Sequence, residues 1–303
     1  MAKTLGSEQG LTPVNLADEL AAAYATGQTI AIPPSARDSG FNLTMAYAVE
    51  AELARRRKAA GHRAVGRKVG FANKALWRVL KLDTVVWAHM YDDTVHDVLV
   101  GVDSDFAQTR LGVDSELPPS QIARLSLPTR FAPKIEPEIV FKMKTTIGGP
   151  ETPALDPDAA LAAVEWLALG FEIIDCPFPD WKFQPVDFVA AFGFHRALIV
   201  GKPRPIEPDT IPALAERLAC FKVKLLKDGE LVEEGSGRNV LRSPALCLAE
   251  LASAAAREPV AEPLGAGELV STGTLTTSQP IADGQTWRAV AEDLDVPAVA
   301  VRF

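Results

Sequence analysis

Cysteine is scarce in this sequence, and its placement follows no pattern. Cys176, Cys220 and Cys247 stand at unrelated spacings with no CxxC pair, which leaves neither a zinc site nor a disulfide framework to build on. Buried free thiols in a reducing compartment are expected. Long apolar runs are also missing: the longest candidate, FVAAFGFHRALIVG, is broken by His195 and Arg196, well short of the roughly eighteen residues that suggest a membrane span. The first ten residues, MAKTLGSEQG, hold no apolar core of a secretory signal. Net positive charge is absent too; the balance of −8 argues against a nucleic-acid partner and for solubility. Together these absences predict a soluble cytoplasmic protein with neither nucleic acid nor membrane as partner. No Ser-His-Asp or Cys-His constellation stands out. LGAGELVSTGTL is glycine-rich but lacks the strand-to-helix setting of a nucleotide loop, so GAGE reads as a turn and STGT as a tight approach of backbone to something.

Proline and glycine are plentiful, 23 and 21 among 303 residues, and 48% of the chain is apolar. That composition buries a real core but favours many short elements over a helical bundle. Residues 1–95 read as α-rich. Asn15 is placed to cap a helix carrying Leu16, Leu20 and Tyr24, with Gly27 ending it; Asn42 precedes a second, with Met45, Val49 and Leu53 as its stripe and Gly61 as its stop. The basic run Arg55 to Lys58 reads as a solvated last turn, where cations favour the negative helix end. A short helix is expected around Leu76 to Leu80. Residues 96–303 read as β-rich, with VHDVLVGVD, KIEPEIVFKM, FEIIDC, HRALIVG, FKVKLLKDGELVEEG and VPAVAVRF as strands and Asp228-Gly229 as a hairpin turn. Inserted helices are expected from Asp156-Pro157-Asp158 to Leu169-Gly170, beyond Pro212, and from Ser243-Pro244 through Ala255. The class is α+β, a smaller α-rich N-terminal region followed by a larger β-rich domain.

Four stretches carry chemistry. In KIEPEIVFKM, period two puts Lys134, Glu136, Glu138, Val140 and Lys142 on one face and Ile135, Pro137, Ile139 and Phe141 on the other. Glu136 and Glu138 are then either the polar face of a half-exposed strand or a pair of carboxylates for a divalent cation. Glu172 and Asp175 lie in an apolar stretch, LALGFEIIDC, where acids are rare unless paired or metal-bound. Three carboxylates suit Mg²⁺ or Mn²⁺, hard ions that take oxygen ligands and keep open positions. Lys68, in the apolar, glycine-flanked VGRKVGF, is expected to have a lowered pKa and to trade protons, or else to guard a strand edge. His195 lies among aromatic and aliphatic residues, a core or interface histidine before it is a catalyst.

On these residues the chain resembles the fumarylacetoacetate hydrolase superfamily, in its branch of 2-oxopent-4-enoate hydratases, 2-oxoheptenedioate hydratases and 4-oxalocrotonate decarboxylases. The likeness runs nearly the whole length: the helix pair ending in AAG, GRKVGFANKAL, KIEPEIVF, GFEIIDCPFPDWKFQPVDFVAAFGFHRALIVG and GELVSTGTLTTSQPIADGQTW. Each segment is weak alone; their order and spacing are specific. The resemblance implies a mixed β-roll or barrel with inserted helices. It also implies a Mg²⁺ or Mn²⁺ site of Glu136, Glu138 and Glu172, Lys68 as the active-site lysine, and Thr274 and Leu275 as substrate contacts. The implied reaction is addition of water to an unsaturated 2-oxo or 2-hydroxydienoic acid through a metal-stabilised enolate, in the catabolism of aromatic compounds. A homo-oligomer is implied, with possible association with a pathway decarboxylase or hydratase.

The chain also departs from that pattern. Where the hydratases carry polar residues after the third carboxylate, this sequence has Asp175-Cys176-Pro177 and Ala190-Ala191-Phe192-Gly193-Phe194-His195. Such changes alter substrate choice and make Asp175 and His195 candidate acid–base groups. The alternatives that stay open are a 2-oxo-acid decarboxylase of the 4-oxalocrotonate type, an acylpyruvate-type C–C hydrolase, and a non-catalytic partner subunit. The hydrolase is disfavoured, because no histidine–acid pair is evident before Lys68.

Overall fold

The computed structural model describes residues 11–98, 122–126, 131–149, 154–259 and 261–303. The N-terminal region begins with α1 (Pro13–Thr26), a short α2 (Pro34–Arg37) and α3 (Leu43–Ala59). Thr12 caps α1, accepting a hydrogen bond from the Asn15 amide, so the cap lies three residues before the Asn15 expected from sequence; Pro13 fits the first turn, where no donor is needed. Asn42 caps α3 as expected. Leu16, Leu20, Val49 and Leu53 bring α1 and α3 together in the core.

The chain then enters β1 (Ala64–Gly70), passes α4 (Trp77–Leu80), and returns in β2 (Val86–Tyr91) and β3 (Val95–Asp97). The rest of the expected VHDVLVGVD strand, from residue 99 on, lies outside the described residues, as do the first ten. After β4 (Ile122–Arg124) come β5 (Lys134–Met143), α5 (Pro157–Ala162), β6 (Val164–Ile174), α6 (Pro185–Ala190), β7 (His195–Val200) and β8 (Arg204–Pro205). The helix expected to reach Leu169-Gly170 stops at Ala162, and VEWLALGFEII is strand throughout, paired with β5 along its length. The last part holds α7 (Ile211–Cys220), the hairpin β9 (Lys222–Lys227) and β10 (Glu230–Ser236), then α8 (Pro244–Arg257), β11 (Leu269–Ser271), β12 (Gln279–Pro280), β13 (Thr286–Glu292) and β14 (Val299–Arg302). Asp228 and Gly229 both take positive φ, as the tight hairpin turn requires.

These strands form a mixed α+β fold with two sheets among the described residues. The larger runs β2-β1-β11-β5-β6-β7-β3, with β12 also on β5 and β8 on β6; the smaller runs β10-β9-β13-β14-β4. β1 lies parallel to β11, with Lys68 level with Ser271. β5 sits at the centre and is buried on both sides, so its apolar face (Ile135, Ile139, Phe141) joins the main core. Its other face packs Val140 into a small cluster with Met90, Ala168, Leu198 and Val200.

A proline inside a central strand needs an explanation, because it cannot donate to the ladder. Pro137 sits between the stretch of β5 paired with β11 and the stretch paired with β12. In that interval the chain from Thr272 to Leu275 tracks β5 as a loop, and the Leu275 amide donates to the Pro137 carbonyl. The missing N–H of Pro137 therefore faces a gap in the ladder, and the acids on either side of it face the loop that fills the gap.

Candidate metal centre and active site

Glu136 on β5 stands directly opposite Glu172 on β6, and Glu138 stands one step of the pleat away, opposite Gly170. Alternation puts all three on one face, and one oxygen from each falls within 4.8 Å of the others. Glu138 and Glu172 are fully buried, and Glu136 borders a cavity of about 600 Å³. Lys68 reaches the same point from β1: its Nζ lies 3.1 Å from Glu172 Oε1, donates to the Gly193 carbonyl at 3.0 Å, and sits 4.8 Å from the centre of the Phe188 ring. The turn before β7 is shaped for this contact. Gly193 has φ of 59°, and a Cβ there would meet Lys68 Cδ at 2.8 Å.

Glu138 is gripped by groups that sequence inspection did not single out. Its Oε2 accepts a hydrogen bond from the Ser271 hydroxyl and another, 2.8 Å, from the Gly273 amide. Gly273 takes φ of 102°, which turns its N–H toward the carboxylate. The only signal in the sequence was the tight STGT motif, which marks a close approach without saying to what.

The electrostatics follow from burial. Desolvation, with the neighbouring carboxylates adding to it, pushes Glu136 and Glu138 up to about 8 despite the pull of Lys68, and Glu172 is raised as well. Burial by itself would lower the Lys68 pKa, as expected from its apolar flanks. Facing Glu172, Glu136 and Glu138, it rises instead, because the three acids outweigh desolvation. Fully ionised, the three carboxylates would exceed the one ammonium by two charges, and without a cation burial keeps them from ionising. Glu138 Oε1 and Glu172 Oε2 are buried with no hydrogen-bond partner among the described residues. An oxygen-ligated divalent cation supplies both the missing charge and the missing partners, so the donor set fits Mg²⁺ or Mn²⁺. The second group with metal-like spacing, His62, Asp92 and Asp93, is largely exposed, and Asp93 is already paired with Arg57.

The other predicted residues divide. Thr274 lines the cavity, its hydroxyl donating to the Thr276 carbonyl at 2.9 Å. Leu275 is fully buried under the loop, held by its backbone to Pro137 and to the Asn239 side chain. Asp175 is buried and does not line this cavity; its amide donates to the Phe194 carbonyl, and its own carbonyl lies 3.0 Å from the Tyr24 hydroxyl. His195 lies behind Glu172, with Nδ1 3.1 Å from Glu172 Oε1 and Nε2 2.9 Å from the Thr94 hydroxyl. Burial, helped by the charge of Lys68, drops its pKa to about 3, so it stands there as a neutral imidazole. The remainder of the cavity has two unlike walls. Phe183, Phe188 and Phe194 make one, with Phe194 taking ring edges from Phe183 at 4.6 Å and Phe188 at 5.2 Å. Thr276, Thr277, Asn239 and Lys134 supply polar groups elsewhere around it.

No family model matches the chain. Among curated proteins it is 28% identical over 249 residues to a 2-hydroxyhexa-2,4-dienoate hydratase of Comamonas testosteroni, covering 82% of each chain. It is 29% identical over 239 residues to a 4-oxalocrotonate decarboxylase of Pseudomonas sp. (strain CF600), covering 79% of this chain and 78% of that one. Among solved structures, the 4-oxalocrotonate decarboxylase of Pseudomonas putida G7, complexed with magnesium and adipate, aligns over 100% of both chains with a TM-score of 0.78 at 24% identity. The fumarylpyruvate hydrolase of Pseudomonas aeruginosa, in complex with Mn²⁺ and pyruvate, aligns over 78% of this chain and 88% of that one with a TM-score of 0.53 at 16% identity. These likenesses establish the fold.

Proposed function

We propose that this chain, a relative of the dienoate hydratases and 4-oxalocrotonate decarboxylases with the fumarylacetoacetate-hydrolase fold, is a divalent-metal-dependent lyase that adds water to an unsaturated 2-oxo or 2-hydroxydienoic acid in the breakdown of aromatic compounds. One observation carries the reading. Three clustered carboxylates, two of them buried with an oxygen unpartnered among the described residues, meet a buried lysine where Glu136, Glu138 and Lys68 open onto a cavity large enough for a small organic acid. Glu136, Glu138 and Glu172 would hold Mg²⁺ or Mn²⁺, which supplies Lewis acidity toward the carboxylate and oxo oxygens of a 2-oxo acid. Lys68 Nζ carries a proton to or from substrate carbon, aimed by the Gly193 carbonyl and by Glu172. Ser271 and the Gly273 amide fix Glu138, and His195 fixes Glu172 from behind. Thr274 on the loop and the phenylalanine wall bound the space for the rest of the substrate.

Loss of CO₂ from a 4-oxalocrotonate-type acid is the second reading, and the aromatic wall supports it. A carboxylate pressed against Phe183, Phe188 and Phe194 loses solvation and is destabilised toward departure. The test begins with Mn²⁺ binding by the chelator-stripped protein, with and without oxalate as a 2-oxo-acid mimic, in wild type and Glu138→Ala. Binding that oxalate tightens and the substitution abolishes supports the metal enzyme. Products from 2-hydroxypenta-2,4-dienoate and from 4-oxalocrotonate then separate hydratase from decarboxylase. Absence of Mn²⁺ binding in wild type sinks both and leaves the non-catalytic partner subunit.

A further inference from the structure

Behind His195, on the side away from the carboxylates, lies a second cavity of about 330 Å³. It is built where the end of α3, strand β2, the turn after it and the start of β7 meet, and Tyr24 of α1 and Phe192 give it an apolar wall. Its ionisable side chains are largely cancelled in pairs. Arg57 lies over the Tyr91 ring at 4.6 Å and is bridged to Asp93; His89 Nδ1 is 2.7 Å from Glu50, and both ring nitrogens of His195 are engaged, by Glu172 and by the Thr94 hydroxyl. Arg196 is left over. It is half-buried, and its guanidinium makes no hydrogen bond or salt bridge among the described residues. The cavity wall therefore carries one uncompensated positive charge.

A second group on the same wall lacks a partner. Tyr91 is only 3% exposed, and its hydroxyl is buried without a hydrogen-bond partner among the described residues. A buried donor left unmade costs about 1–3 kcal/mol, so a guanidinium and a phenol that both lack acceptors in one cavity point to an acceptor that arrives from outside. One net charge suits a monoanion better than a dianion such as phosphate. The volume is at the small end of ligand pockets, and Tyr24, Phe192, Ala21 and Ala25 offer apolar contact.

We propose that this cavity binds a small carboxylate with an apolar body, the carboxylate accepting from the Arg196 guanidinium and the Tyr91 hydroxyl while the body rests against Tyr24 and Phe192. The site is separate from the metal cavity and does not depend on the reading of that cavity. Its occupant lies against His195, one hydrogen bond from Glu172. The same chemistry has two sources, a free organic acid or a carboxylate side chain of a second copy of this chain; the proposal commits to the free acid.

Benzoate is the probe, since it has no 2-oxo group and is a poor metal chelator. Calorimetric titration of the full-length, chelator-stripped protein compares wild type with Glu138→Gln, Arg196→Gln and Tyr91→Phe, with circular dichroism and light scattering on each. The expected result is saturable one-site binding that Glu138→Gln leaves unchanged, that Arg196→Gln weakens about tenfold or more, and that Tyr91→Phe weakens about three- to tenfold. Tyr91→Phe removes a single oxygen and keeps the packed ring, so it tests the site even where Arg196→Gln disturbs the fold. Equal affinity in both cavity variants overturns the proposal, and so does benzoate binding that Glu138→Gln abolishes or no saturable binding in wild type. A loss of oligomer mass in Arg196→Gln, with no benzoate binding in wild type, overturns it in favour of the second copy.

Discussion

The two cavities lie on either side of one hydrogen bond, from His195 to Glu172, and they fail to satisfy themselves in opposite ways. The front cavity gathers three acids around one lysine and lacks positive charge; the rear one leaves an arginine and a tyrosine hydroxyl without acceptors among the described residues. Burial makes both deficits expensive, because unpaired charge and unmade hydrogen bonds cost most where water is excluded. The difference is one of sign, and that sign is the ground for proposing a cation in front and an anion behind.

The largest effect that can break this contrast is the loss of one front acid. Glu138→Gln is expected to weaken Mn²⁺ binding by more than about a hundredfold in calorimetry. The same change should raise the melting temperature of the metal-free protein at pH 8, since it removes a buried charge that only a metal compensates. A metal-free melting temperature that falls sharply would mean the acid is structural. Next comes Lys68→Met, expected to lower turnover by about 10²–10⁴-fold while Mn²⁺ binding stays intact or tightens. Loss of metal binding in that variant would place Lys68 in a purely structural role.

A pH series sharpens the comparison without mutation. Glu136 and Glu138 have folded pKa values raised to about 8 above the ordinary value near 4.5. Their contribution to the metal-free protein is fully present below about pH 4.5 and is lost as pH rises through 8. A bound divalent ion reverses that trend. The gap in melting temperature between Mn²⁺-loaded and metal-free protein should therefore widen from pH 5 to pH 8, and metal binding should release protons near pH 7. A gap independent of pH would refute the crowded-acid account.

Smaller effects follow. Gly193→Ala is expected to lower turnover about tenfold and stability by about 1–2 kcal/mol, since the new Cβ needs φ of 59° and strikes Lys68 Cδ. Unchanged kinetics would show that Lys68 is not aimed by this turn. At the rear, His89 is raised because Glu50 outweighs its burial. Its stabilising share is therefore present below pH 6.5 and fades as pH rises through its folded value. Glu50→Gln should abolish that rise, read as the His89 titration in NMR spectra.

The front cavity was far more legible than the rear one, and the reason is chain order. Glu136, Glu138 and Glu172 lie on two strands that pair with each other, so period two alone put the first two on one face and an acid in an apolar run flagged the third. Strand β6 was cut short because Asp156-Pro157-Asp158 is a true helix start, but that helix lasts six residues and the apolar run after it fits either period. The raised pKa of Lys68 could not be read, since the acids that cause it come from other strands. At the rear, Arg57, Tyr91 and Arg196 come from α3, β2 and β7 with no motif among them. Arg57 also belongs to a basic run that reads as a solvated helix end; Arg55 and Arg56 do pair with Glu52 on α3 itself, whereas Arg57 turns to Tyr91 and Asp93.

The parallel pairing of β1 with β11 sets a timetable. The strands that bear the three acids follow one another in the chain and can meet early, but the strand that delivers Lys68 is flanked on one side by residues 269–271, near the far end of the sequence. Contacts that span so much chain form late and slowly. On a ribosome, the acids would be assembled while the inner edge of β1 still waited for its neighbour. The lysine's strand would gain that neighbour only after residue 271 had emerged, so a prematurely ended chain would collect the acids without the frame that holds the lysine to them.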